Sequence, residues 1–337
     1  MTHEQQEVAT RSKSAVGTGL GILTGMTLGL AGGWILYSKT AIDHDLPLTK
    51  AIPADLQPVD TESAGRLHYY VDRRAQGRPL LLLHSINAAA SAYEMWPLFE
   101  YYRDRRPVFA LDLPGYGFSE RAERDYNPYL FERAILEMMA LEIGQPADVV
   151  ALSLSCEFAV RAAVSDPERF RTLTLISPTG FSESHQERLS QRAQGGGSLL
   201  HNALAFPLWE RPLFDLITSR PSIRYFLSQS FVGPVPEELI NYAYLTAHQP
   251  GAQHAPLYFL SGQLFTPLVR AYYYEKANQP VLVLYDRDAY TGFDHLPEIL
   301  TKRPNWQARR IAPTRGLPHF EQLGDTVVEL ERFWAGL

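Results

Sequence analysis

The sequence contains a single cysteine, Cys156, among its 337 residues, so no internal disulfide supports the fold. It also lacks the excess of positive charge typical of nucleic-acid-binding domains, since the net charge is −6 and the isoelectric point about 5.9. There is no phosphate-binding Walker loop, no dinucleotide-binding glycine pattern and no metal-ligand spacing, and His201, His248 and His254 are too scattered to indicate a zinc site. We therefore expect no nucleic-acid partner, no cofactor and no metal.

Charged side chains are absent from residues 15–37. Crossing a bilayer as one helix takes about 20 residues, so this run is long enough. Leu, Ile, Met, Val and Trp fill most of it, and the apolar pattern continues to Tyr37 without a small-residue cleavage site. These features favour a retained membrane anchor over a cleaved signal peptide or a flexible glycine-rich tail.

Glycines recur every four residues within this run, which at helical spacing places them on one face. Such a stripe lets helix backbones approach closely in a membrane, so it predicts self-association of the anchor. The stripe consists of Gly17, Gly21, Gly25, Gly29 and Gly33. Arg11 and Lys13 precede the span and only Lys39 follows it closely, which favours a cytoplasmic N-terminus and an outward-facing C-terminal domain.

A serine that follows a strand directly is the first sign of chemistry. Residues 149–152 form an apolar β-type run that ends at Ser153, and a helical pattern begins at once after it. A serine at a sharp strand-to-helix turn is the geometry of a nucleophile elbow. The flanking positions must be small, and here they hold Ala151 and Ser155 where glycine is usual, so the motif is degenerate.

Further apolar runs alternate with helical patterns along the chain. This alternation predicts an α/β fold with a mostly parallel sheet and helices on both faces. Ligands of such sheets bind beyond the carboxyl ends of the strands. The residues that fall just past predicted strand ends are Ile86, Ser153, Asp286 to Asp288 and His319.

Three further segments carry a resemblance to a known family. The turn Asp112–Ser119 is similar to the Asp-x-x-Gly-x-Gly-x-Ser turn of the α/β-hydrolase fold family, His84-Ser85 stands where that family has His-Gly, and Gly316–Glu321 resembles its terminal histidine loop. The resemblance covers roughly residues 65–337. It implies an α/β-hydrolase fold in which a catalytic serine, acid and histidine follow in that chain order.

The resemblance assigns these roles to Ser153, Asp288 and His319. A serine hydroxyl needs a base to take its proton, a neutral imidazole can do so, and a carboxylate orients that imidazole. The acid assignment is open, because the spacing after the strand is one residue shorter than in the family, and Asp286 and Asp294 are the alternatives.

Two backbone amides must stabilise the oxyanion, and the resemblance places them at Ile86 and Leu154. His84 is then expected to shape the oxyanion loop rather than to exchange protons. Ser153 as an ordinary helix cap, Ser155 as nucleophile and Cys156 as an activated thiol are the competing interpretations.

The sequence predicts an N-terminal tail (1–14), the anchor (15–37), a solvated linker stiffened by prolines (38–64) and a hydrolase domain (65–337). The chain between two predicted strands at about 182–276 is far longer than one crossover helix, which predicts an insertion, and the resemblance implies that this insertion is a helical cap over the active site. Its predicted helical stretches are 213–226, 236–247 and 255–273, the first and last broken by prolines. Its aromatic side chains suggest a site for a hydrophobic acyl or alcohol group, although most are expected to pack cap against core.

These observations predict a membrane-anchored serine hydrolase that cleaves a hydrophobic carboxylic ester through an acyl-serine. Related triad chemistry on an amide, lactone, thioester or carbon–carbon bond is one alternative, since specificity lies in the cap. A non-catalytic, membrane-tethered binding protein of the same fold is the other.

Overall fold

The computed structural model describes residues 29–182 and 196–337. An eight-stranded sheet in the order β1-β2-β4-β3-β5-β6-β7-β8 lies at its centre. β1 pairs with β2 and β2 with β4 in antiparallel fashion, and the other neighbouring pairs are parallel. The predicted mostly parallel sheet is therefore confirmed. The strands are β1 (Asp55–Thr61), β2 (Gly65–Asp72), β3 (Leu80–Leu83), β4 (Val108–Asp112), β5 (Ala147–Leu152), β6 (Phe170–Ile176), β7 (Val281–Arg287) and β8 (Trp306–Arg315).

Helices cover both faces of the sheet. In β3, Leu80 and Leu82 pack into the core on one face, and Leu81 and Leu83 into the core on the other, because successive side chains of a strand alternate. The helices are α1 (29–41), α2 (Trp96–Tyr102), α3 (Pro128–Met138), α4 (Ser155–Ser165), α5 (Gly197–Leu204), α6 (Glu210–Ile217), α7 (Arg220–Ser228), α8 (Glu237–Ala247), α9 (His254–Leu260), α10 (Val269–Tyr272), α11 (Leu296–Lys302), α12 (Pro318–Glu321) and α13 (Leu323–Ala335). α2 and α13 pack on one face, and α3, α4 and α11 on the other.

The cap is the group of helices α5 to α10, inserted between β6 and β7. The stretch predicted at 213–226 is divided between α6 and α7, with Pro221 in the first turn of α7, where a missing N–H costs nothing. The stretch predicted at 255–273 is divided between α9 and α10, whereas 236–247 forms the single helix α8.

Contacts hold the cap over the carboxyl ends of the strands. Tyr242 of α8 stacks on Tyr93 in the segment after β3, with ring centroids 5.1 Å apart. The Glu157 carboxylate in α4 accepts the Thr266 backbone N–H of the cap at 2.7 Å. The cap therefore covers the edge of the sheet at which the sequence predicts the site.

The segment 38–64, predicted to be a solvated linker, is instead part of the folded domain. It contains β1, an edge strand paired along its length with β2. Upstream of β1, His44 contacts the Asp215 carboxylate at 2.9 Å and the Gln249 side chain donates to the Leu46 carbonyl at 2.7 Å. The prolines and charges of this segment are explained by an exposed edge strand and the residues that precede it, since edge strands tolerate both proline and charge.

The predicted anchor lies only partly within the described residues. Residues 15–28 fall outside them, with Gly17, Gly21 and Gly25 of the glycine stripe, and 29–37 form most of α1. Within 29–182 and 196–337, no helix combines the length and the apolar character that a membrane crossing needs. A Cβ on Gly29 or Gly33 would meet no atom within 4 Å, so this side of α1 is open.

α1 packs on the cap through α6. The Trp34 indole N–H donates to the Pro212 carbonyl at 2.7 Å, and the Ser38 hydroxyl donates to the Asp215 carboxylate at 2.6 Å. Asp215 also accepts from the Arg211 guanidinium at 3.0 Å, and its side chain is fully buried. One buried carboxylate thus joins α1 to α6.

Candidate active site

The predicted site residues follow neighbouring strands of the sheet. Ile86 comes after β3, Ser153 after β5, Asp288 after β7, and His319 lies in α12 after β8. β3, β5, β6, β7 and β8 are consecutive and parallel. Since parallel strands end at the same edge, these residues gather there, beneath the cap.

Ser153 occupies a strained turn between β5 and α4. Its φ is +56°, a left-handed conformation that non-glycine residues seldom adopt. Its N–H donates to the Ile176 carbonyl at 2.8 Å, and the residue is partly exposed while Leu152 and Leu154 are buried. Backbone strain of this kind is concentrated at functional sites, and here it presents a serine hydroxyl between two buried neighbours.

The residues that replace the usual elbow glycines fit this turn. Ser155 is buried, and its hydroxyl donates to the His84 carbonyl, so it ties α4 to the loop after β3. The Ala151 carbonyl accepts the Cys156 thiol at 3.2 Å. Burial raises the pKa of that thiol well above its ordinary value, which makes Cys156 a poor nucleophile.

His84 is locked into one neutral tautomer. Its Nε2 accepts the Leu113 backbone N–H at 3.0 Å, so the proton lies on Nδ1, which donates to the Ser85 carbonyl at 2.6 Å. Burial lowers the pKa of His84 to about 4. With both ring nitrogens engaged, the imidazole shapes the loop after β3, in the role predicted for it.

Glu94 is a residue of this site that the sequence analysis missed. Its buried carboxylate accepts the Ser85 N–H at 2.8 Å and the Asn87 side-chain amide at 2.8 Å, so it fixes the loop that follows β3. Burial raises the pKa of Glu94, and the contacts from Ser85 and Asn87 oppose that rise. The available signal was a lone acid within the apolar run 92–96, since an acid is seldom buried without partners.

The backbone N–H groups of Ile86 and Leu154, predicted to be the oxyanion donors, have no partner among the described residues. Both residues are almost fully buried. Buried amides are nearly always paired, so two unpaired amides past the ends of neighbouring strands β3 and β5 are unusual and are able to donate to a ligand oxygen.

Asp288 lies against the loop that carries His319. Its Oδ1 accepts the backbone N–H groups of Tyr290, at 2.7 Å, and Thr291, at 3.3 Å. Its Oδ2 lies 3.0 Å from where a Cβ on Gly316 would stand, and Gly316 has a φ of +85°. Burial raises the pKa of Asp288, opposed by the two amides. Asp288 thus has one oxygen held and the other beside the histidine loop.

The alternative acids have different surroundings. Asp286, predicted to follow the strand end, is instead part of β7, and it accepts from Arg310 Nε at 2.6 Å and from the Thr314 N–H at 2.9 Å. Burial raises its pKa, but these two donors more than offset the effect, so the pKa is lowered. Asp294 lies in the loop after β7, with Oδ2 2.9 Å from the position of a Cβ on Gly292.

His319 is fully buried and is hydrogen-bonded elsewhere than predicted. Its Nε2 lies 2.7 Å from the Glu94 carbonyl oxygen, to which it can only donate, and its Nδ1 has no partner. Burial lowers the pKa of His319 to about 4, so the ring is neutral. Within the described residues, no hydrogen bond joins His319 to Ser153 or to Asp288. The structure brings the three residues to one edge of the sheet without linking them.

Comparisons with known proteins agree with this fold. The chain is 37% identical over 110 residues to a 2-hydroxymuconate semialdehyde hydrolase from Pseudomonas, a match that covers 32% of this chain and 38% of the relative. It is 29% identical over 117 residues to an esterase of Mycobacterium tuberculosis, covering 34% of this chain and 39% of the relative. The chain thus spans well under half the length of either relative. A solved membrane phospholipase A, described as a bacterial virulence factor, shares the fold with a TM-score of 0.66 at 18% identity, covering 99% of this chain and 98% of that one.

The sequence profile described as "Alpha/beta hydrolase family" matches residues 80–330. This range includes every strand from β3 to β8 and all of the predicted site residues. One of these two relatives is named as a hydrolase and the other as an esterase. By its sequence profile and the order and direction of the strands in its sheet, this chain belongs to the alpha/beta hydrolase family.

Proposed function

We propose that this chain is a membrane-anchored serine hydrolase that cleaves carboxylic esters of hydrophobic substrates through an acyl-serine intermediate. The observation that carries the proposal is Ser153, held at φ +56° between β5 and α4, at the edge of the sheet that also holds the buried amides of Ile86 and Leu154, unpaired among the described residues. A second support is the esterase among the relatives. The uncharged run 15–37 would be the anchor, with a cytoplasmic N-terminus.

In this mechanism the Ser153 hydroxyl attacks the ester carbonyl while His319 takes its proton. The amides of Ile86 and Leu154 donate to the oxyanion of the tetrahedral intermediate, each worth roughly 2.7–4 kcal/mol of the barrier. His319 then gives its proton to the leaving alcohol, and water attacks the acyl-serine to release the acid. Asp288 would orient His319 through Nδ1, which has no partner in this structure.

The mechanism requires His319 to move. In the described arrangement Nε2 donates to the Glu94 carbonyl, whereas a base for Ser153 must present an unprotonated Nε2. The imidazole has to release that carbonyl and carry its proton on Nδ1 instead. This arrangement also favours a second candidate function, a non-catalytic binding protein of the same fold, because an engaged His319 cannot activate a serine.

A fluorophosphonate probe separates the two candidates, because it reacts only with an activated serine. We expect labelling of the wild type and loss of labelling in Ser153→Ala and His319→Ala. Ser155→Ala is the matched control, and it should keep labelling at a reduced rate, since only the bond to the His84 carbonyl is lost. A folded wild-type protein that resists the probe would favour the binding protein.

A further inference from the structure

The cap carries a large exposed apolar surface. Residues 197–209, which include α5, contain no charged side chain. Leu199 is 75% exposed, Leu208 50% and Trp209 40%. Soluble proteins rarely leave large apolar patches uncovered unless something binds there. We call this patch the cap apolar surface; it consists of Leu199, Leu200, Phe206, Leu208, Trp209 and Leu216.

The surface is held in place by the cap itself. The Phe206 and Trp209 rings pack with centroids 4.6 Å apart, and the Trp209 indole N–H donates to the Ala203 carbonyl at 2.8 Å. The polar atom of the indole is therefore satisfied within the protein, and its ring can leave water without breaking a hydrogen bond. On α6, Phe214 and Asp215 are buried while Leu216 is 54% exposed, so Leu216 belongs to the outward side.

The course of the N-terminal chain indicates what covers this surface. α1 is bound to α6 through Trp34 and Ser38, and α6 carries part of the cap apolar surface. Residues 29–37 of the uncharged run belong to α1, and Leu36 and Tyr37 among them are also exposed. The segment proposed to enter the bilayer thus leaves the domain from the same cap helix, which brings that helix to the membrane.

We propose that the cap apolar surface rests in the interfacial layer of the lipid bilayer that holds the anchor. This inference rests on the membrane-anchored function proposed above. Exposed leucine, phenylalanine and tryptophan side chains, most of them in the segment 197–209 that has no Lys, Arg, Asp or Glu, are the composition of interfacial contacts, in which rings lie at the level of the lipid headgroups. The cap then touches lipid directly, and substrates dissolved in the bilayer meet the protein at its cap.

A fluorophore placed on the surface tests the contact. Because the single cysteine is fully buried, Leu208→Cys offers one accessible thiol for an environment-sensitive NBD label. Val328→Cys on α13, 52% exposed and outside the cap, is the matched control, and Leu199→Cys is a second probe. The full chain is reconstituted into phosphatidylcholine vesicles with and without brominated acyl chains. We expect the Leu208 and Leu199 labels to shift to shorter wavelength and to be quenched by bromine, and the Val328 label to do neither.

Vesicle flotation and fluorophosphonate labelling keep this inference separate from the proposed function. Flotation of the chain with no quenching at Leu208 and Leu199 overturns lipid contact and leaves the anchor standing. A blue shift that increases with the protein-to-lipid ratio and is not quenched by brominated lipid indicates that a second copy covers the surface. That result also overturns lipid contact. Failure to float overturns both the anchor and the contact, whereas serine labelling reports on the hydrolase alone.

Discussion

Asp112 organises the turn that follows β4. Its buried carboxylate accepts the backbone N–H groups of Ala92 and Phe118, each at 2.9 Å. Burial raises its pKa to about 6, and the two amides and the Arg121 charge oppose the rise. Gly117 packs so closely on it that an added Cβ would stand 1.9 Å from the carboxyl carbon. Since Ala92 opens the segment that carries Glu94, this contact reaches the site.

Gly117→Ala is therefore expected to destabilise the protein by about 2–4 kcal/mol, through the clash with Asp112 added to the strain of a positive φ. Gly144→Ala is the matched control, because its φ is +67° but a Cβ there meets nothing within 4 Å, so only about 1–2 kcal/mol is at stake. Urea unfolding of both variants measures the difference. Equal losses would show that the Asp112 contact adds nothing.

At the scale of elements, α4 links the serine to the cap. Glu157, four residues after Ser153, accepts the Thr179 hydroxyl at 2.5 Å and the Thr266 backbone N–H at 2.7 Å. Burial raises the pKa of Glu157 to about 7, against the opposing effect of these donors and of Arg161. A carboxyl group that is fully buried and shared between the core and the cap makes their junction sensitive to pH.

The sign of this dependence follows from proton uptake. Glu157 has a reference pKa of 4.5 in the unfolded chain and about 7 in the folded one, so between these values the folded state binds more protons. Its contribution to stability is full below pH 4.5 and is lost as the pH rises through 7, on the order of 3 kcal/mol in all.

Glu157→Gln removes this titration and keeps the contacts, because its carbonyl oxygen can accept the Thr266 N–H while its amide donates to the Thr179 hydroxyl. We expect the free energy of unfolding of the variant to rise relative to that of the wild type as the pH increases from 4.5 to 8. Denaturant unfolding at several pH values measures the difference between the two proteins, which cancels the other titrating groups. Parallel profiles would contradict the assignment.

At the scale of the whole molecule, Asp215 joins the N-terminal segment to the cap. Its carboxylate accepts hydrogen bonds from Ser38 of α1, from His44 of the following segment and from Arg211 of its own helix. Removing one partner of a buried ion pair leaves the other charge unpaired and typically costs about 3–5 kcal/mol. This carboxylate thus helps hold α1 against the cap, together with the hydrogen bond from Trp34 to the Pro212 carbonyl.

Asp215→Asn is expected to increase amide hydrogen exchange across residues 29–46 while the central sheet keeps its protection, because the interactions it loses are those of α1 and the cap. Hydrogen exchange followed by mass spectrometry measures both regions. Glu237→Gln is the control: it also neutralises an acid paired with arginine, Arg224, but that pair is exposed and should leave exchange unchanged. Unchanged exchange at 29–46 in Asp215→Asn would show that α1 is held by other contacts.

Short-range patterns in the sequence determined the alternation of strands and helices, the parallel sheet, the interruptions of the cap helices and the strand ends beyond which Ile86, Ser153, Asp288 and His319 lie. These features are local, because run length, alternation and turn residues act between close neighbours in the chain. Ser153 and His84 could be singled out for the same reason, each standing directly after an apolar run.

Only the tertiary structure showed that Glu94 supports the loop after β3, that His319 donates to the Glu94 carbonyl, and that the Asp215 carboxylate accepts the Ser38 hydroxyl. It also showed that the segment expected to be a linker contains β1 and belongs to the folded domain. Each of these contacts joins residues far apart in the chain, and their burial, rather than any local pattern, decides which polar groups must find partners. A sequence signals such groups only as lone polar residues in apolar runs, and packing selects the partner.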